Sequence, residues 1–505
     1  MADKFCFDKL ADCAEWRFSY LKEYQQQIAR VANFYGLDTY PNQIEMITSE
    51  QMMDAYASVG MPIGYSHWSF GKKFIQTQQV YKRGYMGLAY EIVINANPCI
   101  AYLMEENTLI MQALVIAHAS YGHNSFFKGN YLFRTWTDAD AIIDYLLFAK
   151  KYIAKCEQKY GIDTVEATLD ACHALMNLGV DRYQRPQKIS LAEELQRQEQ
   201  RERYSQKQVN RLWQKFAHKS GIKTNREPQS FPAQPQENLL YFIEKNAPLL
   251  KPWQREIVRI IRKIGQYFYP QKQTQVMNEG WACFWHYTII NHLYDEGLLT
   301  DKFMLEFMHH HSNVISQPAY NDANYNGINP YALGFKMFTD IRRICEHPSD
   351  EDKLWFADIA GSNWLDTIKF AMQNFKDESF ISQYLSPRLM REFKFFQLRD
   401  DSSQNFIEVT NIHDEHGYQA IRTGLAKQYD LSHIEANVQI IKADVDGDRS
   451  LTLQYIGENN VPLGDNVDAV LQHIHYLWKF QVHLVEFDEN DEQQVIARFP
   501  EISDE

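Results

Sequence analysis

Two segments of the chain combine ionisable side chains with an apolar helical pattern, as expected of a buried metal site. Residues 275–287 read QVMNEGWACFWHY, so Glu279 and His286 lie seven positions apart. Two turns of an α-helix bring such residues to one face. A buried carboxylate is costly unless it is paired or binds a cation, and carboxylate and imidazole are both zinc ligands. We therefore predict that Glu279 and His286 point into a metal site.

The second segment, residues 114–127, reads LVIAHASYGHNSFF and carries His118 and His123. On a regular α-helix, residues five apart diverge by roughly 140°, at about 100° per residue. The two histidines converge only if a π-helical turn inserts a residue, or if the helix ends at Gly122 and His123 folds back. The hypothesis is that the two segments meet and that His118, His123 and Glu279 share one divalent metal ion, with zinc expected.

Water activation at such a site requires a general base. Glu91 lies inside the apolar stretch YEIVIN at residues 90–95 and is the first candidate for a catalytic residue. Asp170 and His173, three apart on a predicted helix, form an alternative or a supporting pair. A buried salt bridge is the alternative role for Glu91.

Other interpretations of these residues stay open. Taken singly, each buried polar group is more often a core residue with ordinary hydrogen-bond partners. A two-metal carboxylate site in a helical bundle is a further alternative, although only Asp170 and His173 approximate the Glu-x-x-His motif that it needs. It would use Glu91, His118, Asp170, His173, Glu279 and His286. Three consecutive histidines at 309–311 point in different directions on a helix, so the tract is expected mainly at the surface, with one histidine at most joining a site.

Composition limits the class of protein. A chain of 505 residues exceeds one ordinary core and predicts two or three domains. The net charge of −14, without a strong Lys/Arg cluster, argues against a nucleic-acid partner, and no apolar run of about 18 residues predicts a membrane span. Seven scattered cysteines without a Cys-x-x-Cys pair, and an N-terminus without a signal-peptide pattern, indicate a cytoplasmic protein and argue against a cysteine zinc site.

The elements that must position these residues are mainly helical. Residues 36–84 read as irregular and partly strand-like, residues 86–96 as strand or helix, and residues 313–332 as a polar loop beside a cleft. Apolar periodicity predicts further helices up to about residue 390. The helices predicted before the loop at 313–332 cover 5–35, 101–121, 138–160, 163–180, 189–217, 237–247, 252–268, 273–296 and 300–312.

Near residue 391 the pattern changes to that of a small α+β domain, with the element order ββαββαβ. The strands are predicted at 393–398, 406–412, 438–444, 451–456 and 482–487, and the helices at 417–429 and 467–480. The predicted fold is thus a mainly α, zincin-like N-terminal region followed by a small α+β C-terminal domain. Its parts are helical regions 1–217 and 237–390 packed as one domain, a linker at 218–236, the α+β domain at 391–488 and an acidic tail at 489–505.

Residues 278–282, NEGWA, resemble the third-ligand segment of gluzincin metallopeptidases of the aminopeptidase-N-like group. In that group the glutamate of Asn-Glu-Gly-aromatic-Ala binds zinc, which corresponds to Glu279, and His-Glu-x-x-His supplies the other two ligands. The nearest match here begins at His118 and departs in two ways. Ala119 stands where the general base is expected, and His123 is five positions from His118 rather than four.

Over essentially its whole length the chain resembles the stage V sporulation protein R (SpoVR) family, most closely its YcgB-like branch in bacteria that do not sporulate. The matching motifs are YEIVIN at 90–95, AH at 117–118 through FFKGN at 126–130, GVDRY at 179–183, MNEGWA at 277–282 and GINPYALG at 327–334. The resemblance implies a link to spore cortex, that is peptidoglycan, formation. Outside spore formers it implies a stress role beside a PrkA-type serine kinase and a von Willebrand A-like protein. It supplies no activity, so the metal site rests on the residues alone.

Two hypotheses of function follow. The first is a metal-dependent hydrolase that acts on an amide or peptide bond, with a sporulation- or stress-linked role. The second is a non-enzymatic scaffold or regulator in a kinase-linked stress complex. A metal in an open cleft favours the first, whereas a filled core with Glu279 in a salt bridge favours the second.

Overall fold

The structure is a computed structural model, and it describes most of the chain. The described residues are 9–13, 15–57, 64–82, 91–182, 231–232, 234–319, 322–400, 407–411, 414–444, 447–457, 461–487 and 492–500. They fall into two compact units, the first within 1–169, 263–436 and 459–461, the second within 170–262, 437–458 and 462–505. The helix predicted at 189–217 and most of the predicted linker at 218–236 lie outside the described residues. One break between the units falls at residues 436 and 437, whereas the predicted domain boundary is at 391.

The first unit is mainly helical, with a small mixed sheet. Its strands are β1 (Asn42–Ile47), β2 (Glu91–Ile94), β3 (Cys99–Met104), β4 (Gln397–Asp400) and β5 (Ile407–Asn411). Its helices are α1 (Phe18–Phe34), α2 (Ser49–Ala57), α3 (Trp68–Lys82), α4 (Leu109–Val115), a π-helix (Ile116–His123), α5 (Asn124–Gly129), α6 (Tyr131–Trp136), α7 (Ile142–Tyr160) and most of α8 (Ile162–Ala174). The helices of this unit after residue 262 are the end of α10 (Pro252–Gln273), then α11 (Gln275–Asp295), α12 (Asp301–Val314), α13 (Pro330–Glu346), α14 (Asp350–Trp355), α15 (Trp364–Asn374), α16 (Asp377–Tyr384), α17 (Pro387–Glu392), α18 (Glu415–Gln428) and a 3₁₀ turn (Leu431–His433).

Strand β3 corrects the helix predicted over residues 101–121. It lies at the centre of a three-stranded sheet, parallel to β1 and antiparallel to β2. Its first five residues are buried, so it forms a continuous apolar run that periodicity alone does not distinguish from a helix. The helix begins at Leu109, where the Thr108 hydroxyl accepts a hydrogen bond from the amide of Met111.

The predicted structure of the N-terminal part is wrong in two further places. The helix predicted from residue 5 begins at Phe18. Residues 36–84, predicted as irregular and partly strand-like, contain the strand β1 but also the helices α2 and α3, which were not predicted. The many aromatic residues and the Gly-Met-Pro stretch of this segment suggested irregular structure rather than helices.

Helix α11 runs through the core of the first unit. Fourteen of the 18 residues from Val276 to Leu293 are buried, which is typical of a helix enclosed by the core on most sides. The buried carboxylate of Asp377 on α16 accepts hydrogen bonds from the first-turn amides of Val276 and Met277, both at 2.8 Å. Burial raises the pKa of Asp377 to about 7 despite these bonds. One end of the helix that carries Glu279 is thus fixed by a side chain from another helix.

A buried ion pair joins α13 to α14. Arg343 donates to both carboxylate oxygens of Asp352, at 2.6 and 2.8 Å, and Asp352 also accepts from Ser349. Only 4% of the Asp352 side chain is exposed. Burial opposes its ionisation, but the hydrogen bonds from Arg343 and Ser349 outweigh burial and lower the pKa of Asp352 below 3.8.

Replacing Asp352 by asparagine should lower the free energy of unfolding by about 2–3 kcal/mol at pH 7, because Arg343 then keeps only Asp340 as a partner. The pKa of Asp352 is lower in the folded state, so its ionised form stabilises the fold above pH 3.8, and that stabilisation is lost as the pH falls below this value. Urea unfolding at several pH values would show the acid-dependent part reduced in the variant. Asp350→Asn on the same helix is the control, since Asp350 is fully exposed, and it should leave unfolding unchanged.

The second unit is built around a four-stranded sheet in the order β6-β7-β8-β9, formed by β6 (Asn437–Ala443), β7 (Leu451–Ile456), β8 (Val482–Phe487) and β9 (Gln493–Phe499). Its described helices are the end of α8, a 3₁₀ turn (Met176–Gly179), α9 (Leu239–Asn246), the start of α10 and α19 (Val467–Trp478). Strands β6 and β7 form the predicted antiparallel hairpin, and β7 is followed through α19 by the parallel strand β8. This confirms a mostly α chain with a C-terminal α+β region.

Two details of the predicted C-terminal region are corrected. The acidic tail predicted from residue 489 contains β9, which pairs antiparallel with β8 because its sequence QQVIARF supplies strand-forming residues. The first two predicted strands exist as β4 and β5, but they form a separate two-stranded sheet in the first unit. Among the described residues, no helix combines the length and apolar character that a membrane-spanning segment needs.

Candidate functional site

A π-helix brings the two histidines of the first motif together. Residues Ile116–His123 are π-helical, whereas the flanking helices α4 and α5 are α-helical. Hydrogen bonds five residues apart place His118 and His123 on one face, and their perpendicular rings have centroids 4.6 Å apart. Of the two local structures that the spacing allowed, the structure has the π-helical one, and the alternative of a helix end at Gly122 is wrong.

The π-helix packs closely on α11. A Cβ atom at Gly122 would lie only 2.6 Å from Cα of Ala282, so the two backbones are in direct contact there. Larger residues would push the histidines away from Glu279, which precedes Ala282 by about one turn. The predicted meeting of the two segments is therefore what the structure has, and glycine is needed at the point of contact.

Three ligand-type side chains converge from these elements. The Nε2 atom of His118 lies 3.7 Å from Oε2 of Glu279, and Nε2 of His123 lies 3.5 Å from the same oxygen. These separations exceed the usual length of a hydrogen bond. Oε2 of Glu279 is buried and has no hydrogen-bond partner. A buried carboxylate oxygen without a donor, facing two imidazole nitrogens, is the arrangement expected where a cation binds.

Strand β2 adds a second carboxylate. Oε1 of Glu91 lies 3.5 Å from Nε2 of His118, and the donor atoms of Glu91, His118 and His123 lie within 4.8 Å of one another. Burial, together with the negative charge of Glu279, raises the pKa of Glu91 to about 8. The predicted base therefore lies beside the predicted ligands, and without a cation it binds a proton readily near neutral pH.

The opposite nitrogen of each histidine is held by a neighbour. Nδ1 of His123 donates a hydrogen bond to Oδ1 of Asn278 at 2.9 Å, and Nδ1 of His118 lies 2.9 Å from Nδ1 of His286. This leaves Nε2 of both rings directed at the carboxylates, which is the usual arrangement of metal-binding histidines. Burial lowers the pKa of His118 to about 4, despite the attraction of Glu279, so that its ring is neutral as a ligand must be.

Tyr331 completes the contacts of Glu279 and was not predicted. It stands in the first turn of α13, whose N-terminus is capped by Asn329, and its hydroxyl interacts with the Glu279 carboxylate. The charge of Glu279, together with burial, raises the pKa of Tyr331 well above its usual value. Burial opposes ionisation of Glu279, but His123, His118 and Tyr331 outweigh it and lower its pKa. Tyr331 lies in the motif GINPYALG and in the polar loop predicted at 313–332, but neither pattern links the tyrosine to Glu279.

His286 lies in the same cluster, but its two nitrogens face other histidines. Nδ1 is 2.9 Å from His118, and Nε2 is 2.7 Å from Nδ1 of His311. His118, His286 and Cys283 also form a second group whose donor atoms lie within 4.8 Å of one another. The histidine tract was expected mainly at the surface. In the structure His309 is exposed and His310, beside Glu306, is partly exposed, while His311 alone of the three is buried.

The predicted supporting pair lies elsewhere in the chain. Asp170 and His173 are on α8, and neither belongs to the two groups of potential metal ligands found among the described residues. Their predicted role stays a prediction. The gathered set is thus two imidazoles, two carboxylates and one phenol, which can bind a divalent cation and accept a proton beside it.

Comparisons with known proteins agree with the motifs. Residues 15–434 match the family model described as SpoVR like protein, and residues 436–489 match the SpoVR-like C-terminal domain. The chain is 63% identical over 492 residues to the uncharacterized protein YcgB of Escherichia coli (strain K12), covering 97% of this chain and 96% of that protein. No solved structure matches the chain. The family models together span nearly all of the sequence, and the chain belongs to the SpoVR family.

Proposed function

We propose that the chain is a metal-dependent hydrolase that cleaves an amide or peptide bond. His118, His123 and Glu279 are the ligands of one divalent ion, with zinc expected, and Glu91 is the general base. Such a ligand set of two histidines and one glutamate leaves an open position for chemistry. The proposal goes beyond family membership, and it rests on the geometry of the side chains.

The observation that carries the proposal is the spacing of the donor atoms. Metal bonds of about 2.0–2.2 Å place neighbouring ligand atoms of a tetrahedral site about 3.3–3.6 Å apart. The Nε2 atoms of His118 and His123 lie 3.7 and 3.5 Å from Oε2 of Glu279. Direct ion pairs between these groups would be closer, at about 2.7–3.2 Å. The spacing therefore suits a shared cation better than a network of hydrogen bonds.

The proposed metal ion and Glu91 have different roles in the reaction. A divalent ion with an open position supplies an activated water at neutral pH. Glu91 lies 3.5 Å from Nε2 of His118 and would accept the proton of that water and return it to the leaving amine. A nearby cation would lower the pKa of Glu91 from about 8, so the carboxylate would be ionised in the loaded protein.

The carboxylate side chains of the proposed site are more exposed than its imidazoles. The side chains of Glu91 and Glu279 are 16% and 19% exposed, whereas that of His118 is only 4% exposed. The imidazoles are thus held in the core, whereas the two acidic side chains are partly exposed, although Oε2 of Glu279 itself is buried. This supports a site that a substrate can approach, as a hydrolase requires.

A filled core with Glu279 in a salt bridge would favour the scaffold hypothesis. The unpartnered oxygen of Glu279 argues for the metal site instead. Peptides of peptidoglycan are the first substrates to test, because the family is linked to spore cortex formation. The expected setting is a stress-response complex with a PrkA-type serine kinase and a von Willebrand A-like protein.

The experiment combines metal analysis with an activity assay. Plasma mass spectrometry of the purified protein should find about one ion per chain, and the protein should cleave peptide or peptidoglycan substrates. Glu91→Gln should keep the ion but lose at least about 100-fold in activity, because removing a general base costs this much. Wild-type protein without metal, even after incubation with zinc, would contradict the proposal. Loss of the ion in Glu91→Gln would make Glu91 a ligand instead of the base.

A further inference from the structure

The buried core behind the metal site contains a row of three imidazoles. His118, His286 and His311 come from the π-helix, α11 and α12, and at most 3% of each residue is exposed. The nitrogens in contact are 2.9 Å apart between His118 and His286 and 2.7 Å apart between His286 and His311. Such a row is costly to bury unless each polar atom has a partner, so its presence calls for an explanation.

We propose that His286 and His311 are positioning residues for the metal site, and that they hold His118 in the tautomer whose Nε2 lone pair faces the ion. The inference rests on the metal site proposed above. It assigns His286, initially predicted as a ligand, to a supporting role.

The number of protons on the three neutral imidazoles limits the directions that their hydrogen bonds can take. A neutral imidazole has one N–H group and one lone pair. When Nε2 of His118 binds a metal, the proton must be on Nδ1, which then donates to Nδ1 of His286. His286 carries its proton on Nε2 and donates to Nδ1 of His311. Every contact has one donor and one acceptor only in this order or in its complete reversal.

The reversed order is incompatible with the metal. It places a proton on Nε2 of His118, the atom that faces Glu91 and Glu279 at 3.5 and 3.7 Å. An acceptor at His311 therefore helps to select the order in which His118 binds metal. Aromatic rings hold His311 in place, with Phe335 and Tyr287 at centroid distances of 4.8 and 4.9 Å. Hydrogen bonds from outer residues of this kind typically change metal affinity by about 10–100-fold.

The test compares zinc affinity, measured by chelator competition, in matched variants of the full chain. His311→Phe removes the acceptor but keeps an aromatic ring, and it should weaken zinc binding about 10-fold. His311→Asn places an amide oxygen near the position of Nδ1 and should keep affinity within about 3-fold of wild type. His286→Leu should weaken binding by about 10-fold or more, although the Ala282 carbonyl near the His118 ring remains as an acceptor.

Urea unfolding of the metal-free proteins separates positioning from folding. Variants that unfold at the wild-type urea concentration but bind zinc more weakly support the inference. Wild-type affinity in both His311→Phe and His286→Leu overturns it while leaving the metal site intact. No zinc binding by the wild type overturns the proposed function itself. A second ion per chain that is lost in Cys283→Ser would overturn the inference in favour of a metal bound by Cys283, His118 and His286. If one variant does not fold, the other still decides.

Discussion

Glu279→Gln is expected to lose the metal ion, with less than about 0.1 ion per chain after dialysis against a chelator. The amide has the shape of the carboxylate but no charge, and its oxygen is a poor zinc ligand. Both histidines face the same oxygen of Glu279, at 3.5 and 3.7 Å, so this carboxylate occupies a central position in the proposed site. His123→Ala should have the same effect, because it removes a nitrogen ligand. Plasma mass spectrometry and zinc titration would measure both losses.

Asp377→Asn is the matched control for this prediction. Asp377 is also a buried carboxylate at α11, but it accepts hydrogen bonds from backbone amides, and among the described residues it forms none with the proposed ligands. The control should keep the ion and lose about 1 kcal/mol of stability, as helix caps do. The metal assignment is wrong if Glu279→Gln retains one ion per chain, or if Asp377→Asn and Glu279→Gln lose it equally while both stay folded.

Metal removal should also lower the stability of the wild type. An ion that binds only the folded state stabilises it in proportion to the logarithm of its free concentration, by about 2.7 kcal/mol at 100 times the dissociation constant. Thermal unfolding with and without a chelator would show this as a shift in Tm that Glu279→Gln lacks.

The meeting of the two motif segments was predictable from the sequence because chemistry and helical periodicity point the same way. Glu279 lies in a long apolar helix, where an isolated carboxylate needs a partner. The sequence did not decide the local structure around His118 and His123. A π-helix is rare, and it forms here because tertiary packing stabilises it. The close approach of Gly122 to Ala282 is that packing, and it depends on residues 160 positions apart in the sequence.

The residues that sequence analysis missed depend on contacts between distant elements. His311 belongs to a tract of three histidines, and only the packing of α12 on the core decides which one is buried. Tyr331 reaches Glu279 because α13 crosses α11 closely, which no local pattern shows. Strand β3 was predicted as a helix because both faces of a central strand are apolar. In each case the local sequence allowed two structures and the tertiary contact selected one.

The close crossing of α11 and α13 explains two glycines of the family motifs. Gly280 follows the proposed ligand Glu279, and Gly334 ends the motif GINPYALG. A Cβ atom at Gly280 would overlap Cα and the carbonyl carbon of Gly334, and one at Gly334 would overlap the carbonyl oxygen of Val276. These neighbours are backbone atoms, so they cannot move aside by changing rotamer. The two helices therefore approach at a distance that only glycine allows.

Gly280→Ala is expected to destabilise the fold by about 3 kcal/mol or more, although alanine favours an isolated helix. The added methyl group must separate α11 from α13, which also moves Tyr331 away from Glu279. Zinc affinity should fall together with stability, and urea unfolding and zinc titration would measure the two effects.

Gly424→Ala provides the matched control, because Gly424 lies inside α18 and an added Cβ there meets nothing within 4 Å. This substitution should leave zinc binding unchanged and raise stability by up to about 1 kcal/mol, since alanine restricts the unfolded chain. Equal effects of the two substitutions would contradict a close crossing of α11 and α13. A loss confined to Gly280→Ala would tie the glycine of the NEGWA motif to helix packing and, through Tyr331, to the geometry of the metal site.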